Sequence, residues 1–229
     1  FNQAAGTGTT SISKAFTVYN YPNPALTVNN AAISVNAFVS VSGDTVLNAT
    51  SGKLTIAAAG DIAADGAASL TATGGIFTAG DIYGYGKAAV DFNSPVTLTG
   101  NVQVDNGVYS SFNSGANVTF HDLVDGAFNL NVNSCAKGDT VFMAPVGSVT
   151  PLGDMVFGVS AGRGVPRTVT LGAVKAASVR QFGGYGATNI TDALFTTGAL
   201  GVNISTDADV VLTGSIFSSS NPVSLQSTD

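Results

Sequence analysis

Apolar and polar side chains alternate in short runs along almost the whole chain. Leu26-Thr27-Val28, Ile33-Ser34-Val35 and Val39-Ser40-Val41 each put two apolar side chains on one face at period two, the signature of a half-buried strand. Asn29-Asn30 and Ser42-Gly43-Asp44 separate or end these runs. Further runs fall at Val96–Leu98, 102–104, Val118–Phe120, Phe128 with Leu130 and Val132, Val141 with Met143, and Met155 with Phe157. A second series passes through Val169–Leu171, Ile190, Val202 with Ile204, Val210–Leu212, Ile216, and Val223 with Leu225. Asp105-Asn106-Gly107 supplies one of the bends between them.

The runs also echo one another. Asn117-Val118-Thr119 returns as Asn189-Ile190-Thr191, Gly126-Ala127-Phe128 as Gly198-Ala199-Leu200, and Leu130 with Val132 as Val202 with Ile204, a spacing of about 72 residues. Val96-Thr97-Leu98 against Val169-Thr170-Leu171, and Pro151-Leu152 against Pro222-Val223, follow with one-residue drifts. A finer beat of about twenty relates the run from Ile56 to Asp61-Ile62 to the run from Ile76 to Asp81-Ile82. Twenty residues is one turn of a parallel β-helix, so the longer unit is about three coils. The expected fold is therefore all-β, a right-handed parallel β-helix with coils of about 20–25 residues. Roughly nine coils, about 4.8 Å apart, give a rod on the order of 45 Å long. A β-sandwich also spaces strands every 8–12 residues, but it does not repeat them at one fixed interval. Residues 1–24 read as an irregular segment, with a proline-punctuated turn at 19–24, and 25–229 as a single solenoid with super-repeats at about 95–165 and 168–229.

Composition agrees. All fourteen acidic residues are Asp, Glu and Trp are absent, and Gly numbers 28, a balance that favours strands and turns over helices. The 45% apolar content is ample for a core. A net charge of −6 with only eight Lys and Arg argues against nucleic acid, whose phosphates need basic clusters. No run approaches 18 apolar residues, so no membrane span is expected. The chain starts at Phe1 without an initiator Met or a leader, which reads as a piece of a longer protein.

Pro95-Val96-Thr97-Leu98-Thr99-Gly100-Asn101-Val102 is followed by Gly115-Ala116-Asn117-Val118-Thr119-Phe120 and by the stretch from Val124-Asp125-Gly126 to Val132. Val146-Gly147-Ser148-Val149-Thr150-Pro151-Leu152-Gly153 completes the series. In that order these resemble the repeats of filamentous-haemagglutinin-type giant surface proteins of Gram-negative bacteria. The likeness covers 90–229 well and 25–90 loosely. It implies a right-handed parallel β-helix in an exported rod serving adhesion or cell-surface structure. Such motifs are packing motifs, so they speak for architecture and leave the binding partner open.

Candidate chemistry is sparse. Asp61 and Asp81 should stack on neighbouring coils, where they either hold a cation or cap backbone N–H groups at a bend. The glycine-aspartate calcium repeat is missing. Polysaccharide lyases and hydrolases also use β-helices, and the acid–base candidates here are His121, Asp122, Asp125, Lys137, Asp139 and Asp154. Arg163, Arg167, Lys175 and Arg180 form either a basic patch for an acidic glycan or a solvated face. Ala161-Gly162-Arg163-Gly164 lacks the Gly-Lys followed by Ser or Thr of a phosphate loop. Cys135 has no partner for an intramolecular disulfide and reads as a small packed side chain. The glycosylation triplets at Asn48, Asn117, Asn189 and Asn203 are what chance gives in a chain rich in Asn and Thr. Threonines do not recur as the outward Thr-x-Thr ladder of an ice-binding face.

The expectation is a structural or adhesive module of an extracellular or cell-surface bacterial protein, without catalytic, cofactor or metal residues. The alternatives are a carbohydrate-active enzyme and a carbohydrate-binding module. Expected partners are adjoining coils of a longer chain, other copies, or a surface glycan. Residues 214–229 look uncapped, so the last coil should need a cover.

Overall fold

A three-residue run with two apolar ends can cover only one side of a core, so each must be followed by a bend and another run. In a computed structural model, which describes residues 1–19, 24–85, 88–107, 115–158, 165–219 and 221–228, that is how the chain winds. It forms an all-β parallel β-solenoid of about nine turns, with no helix among the described residues. Every strand pairing among the described residues is parallel, which rules out the hairpins of a sandwich.

Each coil contributes to three faces. The first carries Leu26–Asn30, Thr45–Ala49, Ala68–Ala72, Val90–Phe92, Val118–Phe120, Thr140–Phe142, Val169–Leu171, Thr188–Ile190 and Val210–Leu212. The second includes Ala32–Val35, Leu54–Ile56, Ile76–Thr78, Val96–Leu98 and Leu194–Thr196, and the third includes Val39–Val41, Ile62–Ala64, Val102–Asp105 and Leu152–Phe157. Inward side chains pile into columns. One on the first face climbs through Val28, Leu47, Leu70, Phe92, Phe120, Phe142, Leu171, Ile190 and Leu212. One on the second climbs through Ile33, Leu54, Ile76, Val96, Val124, Val146, Val174, Leu194 and Ile216. Burial of these columns is the main favourable term in the fold.

The 72-residue echo is three coils on the third face, where Leu130 pairs with Met155, Met155 with Val179, and Val179 with Val202. On the first face the same three coils carry Val118 through Thr140 and Val169 to Thr188, two residues short of the repeat. Val118 therefore does not stack in line with Ile190, although both point inward. A slip of two leaves an alternating pattern unchanged, so the sequence alone does not register it. Val96 and Val169 lie on different faces altogether.

Within residues 1–24, expected to be irregular, three strands supply a first coil. Asn2–Gln3, Thr9–Ile12 and Phe16–Val18 pair with Thr27-Val28, Ala32–Val35 and Val39–Val41. Asn2–Gln3 and Thr9–Ile12 are too polar to show the alternation, whereas Phe16-Thr17-Val18 carries it. Val141 and Met143, read as inward, face outward instead, with Met143 exposed, because Phe142 takes the core position above Phe120. The proline-punctuated turn at 19–24 falls mainly outside the described residues.

Not every inward position is apolar. Asn106 is fully buried between the third and first faces, and its Nδ2 donates to the carbonyls of Ala88 and Ala116, both at 2.9 Å. The position below it is Gly84, where a Cβ would collide with the Asn106 side chain. Asn106→Ala strips a donor from two carbonyls and is expected to lower the unfolding free energy by about 1–3 kcal/mol. A urea titration checks this, and an unchanged midpoint would show that the amide holds nothing together.

Candidate functional site

At each bend a strand starts with backbone N–H groups that its own coil leaves free, and short acidic or amide side chains take them. Asp61 Oδ1 accepts from the Asp81 N–H at 2.8 Å, and Asp81 Oδ1 from the Gln103 N–H at 2.7 Å. Asn101 accepts from the Asn129 N–H, and Asn129 from the Asp154 N–H. Asp154 accepts from the Ser178 hydroxyl. At other corners Asp44 takes the Ala67 N–H, Asn117 the Asp139 N–H, and Asp192 the Ala193 N–H. Asp61 and Asp81 thus cap backbone donors. Among the described residues no group of three His, Cys, Asp or Glu side chains could hold a metal ion.

A polar group lies on the outside of the third face. Tyr83 donates to Asp81 Oδ2 at 2.8 Å. Burial, reinforced by that bond and by the charges of Asp81, Asp61 and Asp105, raises the Tyr83 pKa, so the hydroxyl stays protonated and acts as a donor. Asp105 also has its pKa raised by burial, against the lowering effect of bonds from Asn133, Gln103 and the Gly107 N–H. Asn133 Oδ1 and Asn131 Oδ1 are buried there without hydrogen-bond partners.

The acid–base candidates do not share one task. Asp122 accepts from the Leu123 N–H, and Asp125 from the N–H groups of Val149 and Thr150. His121 lies 3.3 Å from Asp91 on the first face. Asp139 pairs with Arg167 at a corner, through Nε at 2.8 Å and through Nη2. The Arg167 hydrogen bond, with its charge, holds the Asp139 carboxyl below the ordinary carboxylate range. A depressed carboxyl contributes stability above its unfolded pKa of about 3.9, and this is lost as pH falls through the folded value. Arg167→Gln is expected to raise the Asp139 titration midpoint in an NMR pH series and to start acid unfolding at a higher pH. An unmoved midpoint would mean that the pair does not persist in solution.

The basic residues disperse as well. Arg167 sits at that corner, Lys175 points out from the second face, and Arg180 points out from the third, 3.9 Å from Asp154. Arg163 and the 161–164 segment lie outside the described residues. Cys135 is buried in a turn at φ 60°, a conformation uncommon for a residue with a Cβ. Of the triplet asparagines, Asn48 donates to Asn29, and Asn203 is exposed on the third face.

One feature is not among the sequence expectations. Phe195 and Phe217 stack on the outside of the second face with centroids 4.6 Å apart, beside a shallow apolar cavity of about 60 Å³ lined by Pro145, Ala173 and Lys175 among others. The signal was present in Ala193-Leu194-Phe195-Thr196 and Ser215-Ile216-Phe217-Ser218, which match one coil apart. In the last coil, expected from its sequence to need a cover, Leu212, Phe217, Val223 and Leu225 are exposed. No protein-family model, curated protein or solved structure matches the chain.

Proposed function

We propose that the chain is a non-enzymatic rod module of a large exported bacterial protein, of the filamentous-haemagglutinin-like kind that its repeats resemble. It stands at the cell surface or in an extracellular filament and holds an adhesive or assembly surface away from the cell. Its partners are adjoining coils, other copies, or a surface glycan. The observation that carries this reading is the continuity of the inward columns, which run from the second coil to the last. Stiffness follows, because bending the rod would open coil-to-coil hydrogen bonds on one side. The capping of backbone N–H groups by Asp61, Asp81 and Asp125 supports it further, since those carboxylates serve the fold.

The test pairs two variants of the surface-displayed protein. Removal of one whole coil is expected to shorten the projection seen by electron microscopy while attachment persists. His121→Gln with Asp125→Asn is expected to leave attachment unchanged. Depolymerisation of a polysaccharide by the wild-type protein, lost in the double variant, would overturn the reading in favour of an enzyme.

A further inference from the structure

Two amide oxygens of the third face, Asn131 Oδ1 and Asn133 Oδ1, are buried and unpartnered. Asn133 is the sharper case. It is only 1% exposed, although it holds an outward position directly above Asp105, one coil on. Its Nδ2 donates to Asp105 Oδ2 across a long 3.4 Å, and Gln103 Nε2 donates to the same oxygen at 3.0 Å. The Gly107 N–H takes the other carboxylate oxygen. Neither orientation of the Asn133 amide satisfies the group. With Nδ2 toward Asp105, Oδ1 is left bare inside the protein, which is costly. With the amide turned over, two oxygens face each other at about the same separation. A cation between them removes the conflict. Oxygens bound at right angles to one calcium ion, each about 2.4 Å from it, lie about 3.4 Å apart, so these side chains already stand at the spacing of a calcium shell. Among the described residues no Lys, Arg or His pairs with Asp105, whose charge is disfavoured by burial.

We propose that Asp105, Gln103, Asn131 and Asn133 form a calcium site on the outside of the third face. Asp105 supplies the carboxylate, the three amides turn their oxygens to the ion, and water completes the six to eight ligands that calcium takes. Asn131 belongs to the set because the register puts it directly above Gln103, two residues before Asn133. One acid and three amides make the site, unlike a cage of carboxylates. Magnesium demands shorter bonds of about 2.1 Å and gives up its waters reluctantly, so it fits these amides poorly. With a single carboxylate, the dissociation constant should fall at the weak end for calcium modules, on the order of 10⁻³ M. The ion ties Val102–Asp105 to Leu130–Asn133 and so clamps two successive coils from outside the core. This goes beyond the rod reading and does not depend on it.

The intact 229-residue chain, freed of metals by a chelator, is to be titrated with calcium chloride in a calorimeter near neutral pH. Terbium gives a second readout, since it takes calcium sites and emits when a nearby tyrosine is excited, and Tyr83 lies directly below Asp105. The wild type is expected to bind one calcium ion per chain, to show terbium emission that calcium quenches, and to melt at a higher temperature with calcium present. Asp105→Asn is expected to weaken binding at least about tenfold. Asp91→Asn, the same change of charge on the first face, is expected to leave it unchanged. Asn133→Asp adds a second carboxylate to the shell and is expected to tighten binding about tenfold, a gain that no misfolded chain can show. Absence of saturable calcium binding in the wild type, equal losses in Asp105→Asn and Asp91→Asn, an equal response to magnesium, or weaker binding by an Asn133→Asp chain with its β-sheet circular dichroism intact would each overturn the proposal.

Discussion

Phe120→Ala is expected to lower the unfolding free energy by about 3–5 kcal/mol. Phe92, Phe120 and Phe142 are inward residues of three successive coils, and their rings stack at 4.6 Å with interplanar angles of 5° and 3°. Phe157 closes the group edge-on at 6.1 Å from Phe142. Phe120 therefore touches a ring on each side. The slot left by its removal cannot collapse, because hydrogen-bonded strands keep the coils about 4.8 Å apart. This places the cost toward the upper end of the range for aromatic truncations. Phe120→Leu, which keeps much of the volume, should cost clearly less. In a double-mutant cycle, Phe92→Ala with Phe120→Ala should couple by about 0.5–1.5 kcal/mol, the size of an aromatic pair beyond its burial. Guanidinium denaturation reads all four variants, Phe92→Ala alone included. A cost below about 1 kcal/mol for Phe120→Ala at unchanged slope would mean that the ring stack is absent in solution.

Architecture was legible because it rests on local pattern. A run such as Val96-Thr97-Leu98 fixes which side chains turn inward, and the fixed recurrence of such runs separates a solenoid from a sandwich. What the pattern conceals is the register between coils. Asn117-Val118-Thr119 and Asn189-Ile190-Thr191 match as text, yet Val118 stacks beneath Thr140 and in line with Thr188. The alternation has period two, and bends of different length absorb the difference, so text and column drift apart while Val118 and Ile190 both stay inward. Inward polar residues were hidden for a related reason. Thr140, Thr188 and Gln181 occupy core positions because each finds a partner inside, Thr140 on Ser134 and Thr188 on Gln181. That pairing depends on which coils meet. The acids were read with both possible roles in view, and Asp61 and Asp81 proved to be caps, since a bend offers free N–H groups wherever it offers room for a short carboxylate.

Deleting residues 54–75 should do less harm than deleting residues 54–64, although it removes twice as much chain. The longer cut takes out Leu54–Ile56, Ile62–Ala64 and Ala68–Ala72, one strand from each face. It joins Lys53 to Ile76, so Ile76 comes to rest above Ile33, Ile82 above Val39 and Val90 above Thr45, each in the column it already occupied. One coil-to-coil interface is lost and the rest persist, as in any repeat array. The shorter cut leaves Ala68–Ala72 next in line after Thr45–Ala49, on the same face and parallel to it. About seven residues would then have to carry the chain back to the start of a parallel neighbour, where a crossover needs a dozen or more. The second variant can build that rung only by tearing strands out of the other two faces. Expected results are a cooperative urea transition and a maximum dimension shorter by about 4.8 Å in X-ray scattering for the 54–75 deletion. The 54–64 deletion should lose the cooperative transition. If the order were reversed, coil closure would not be what holds the chain in this fold.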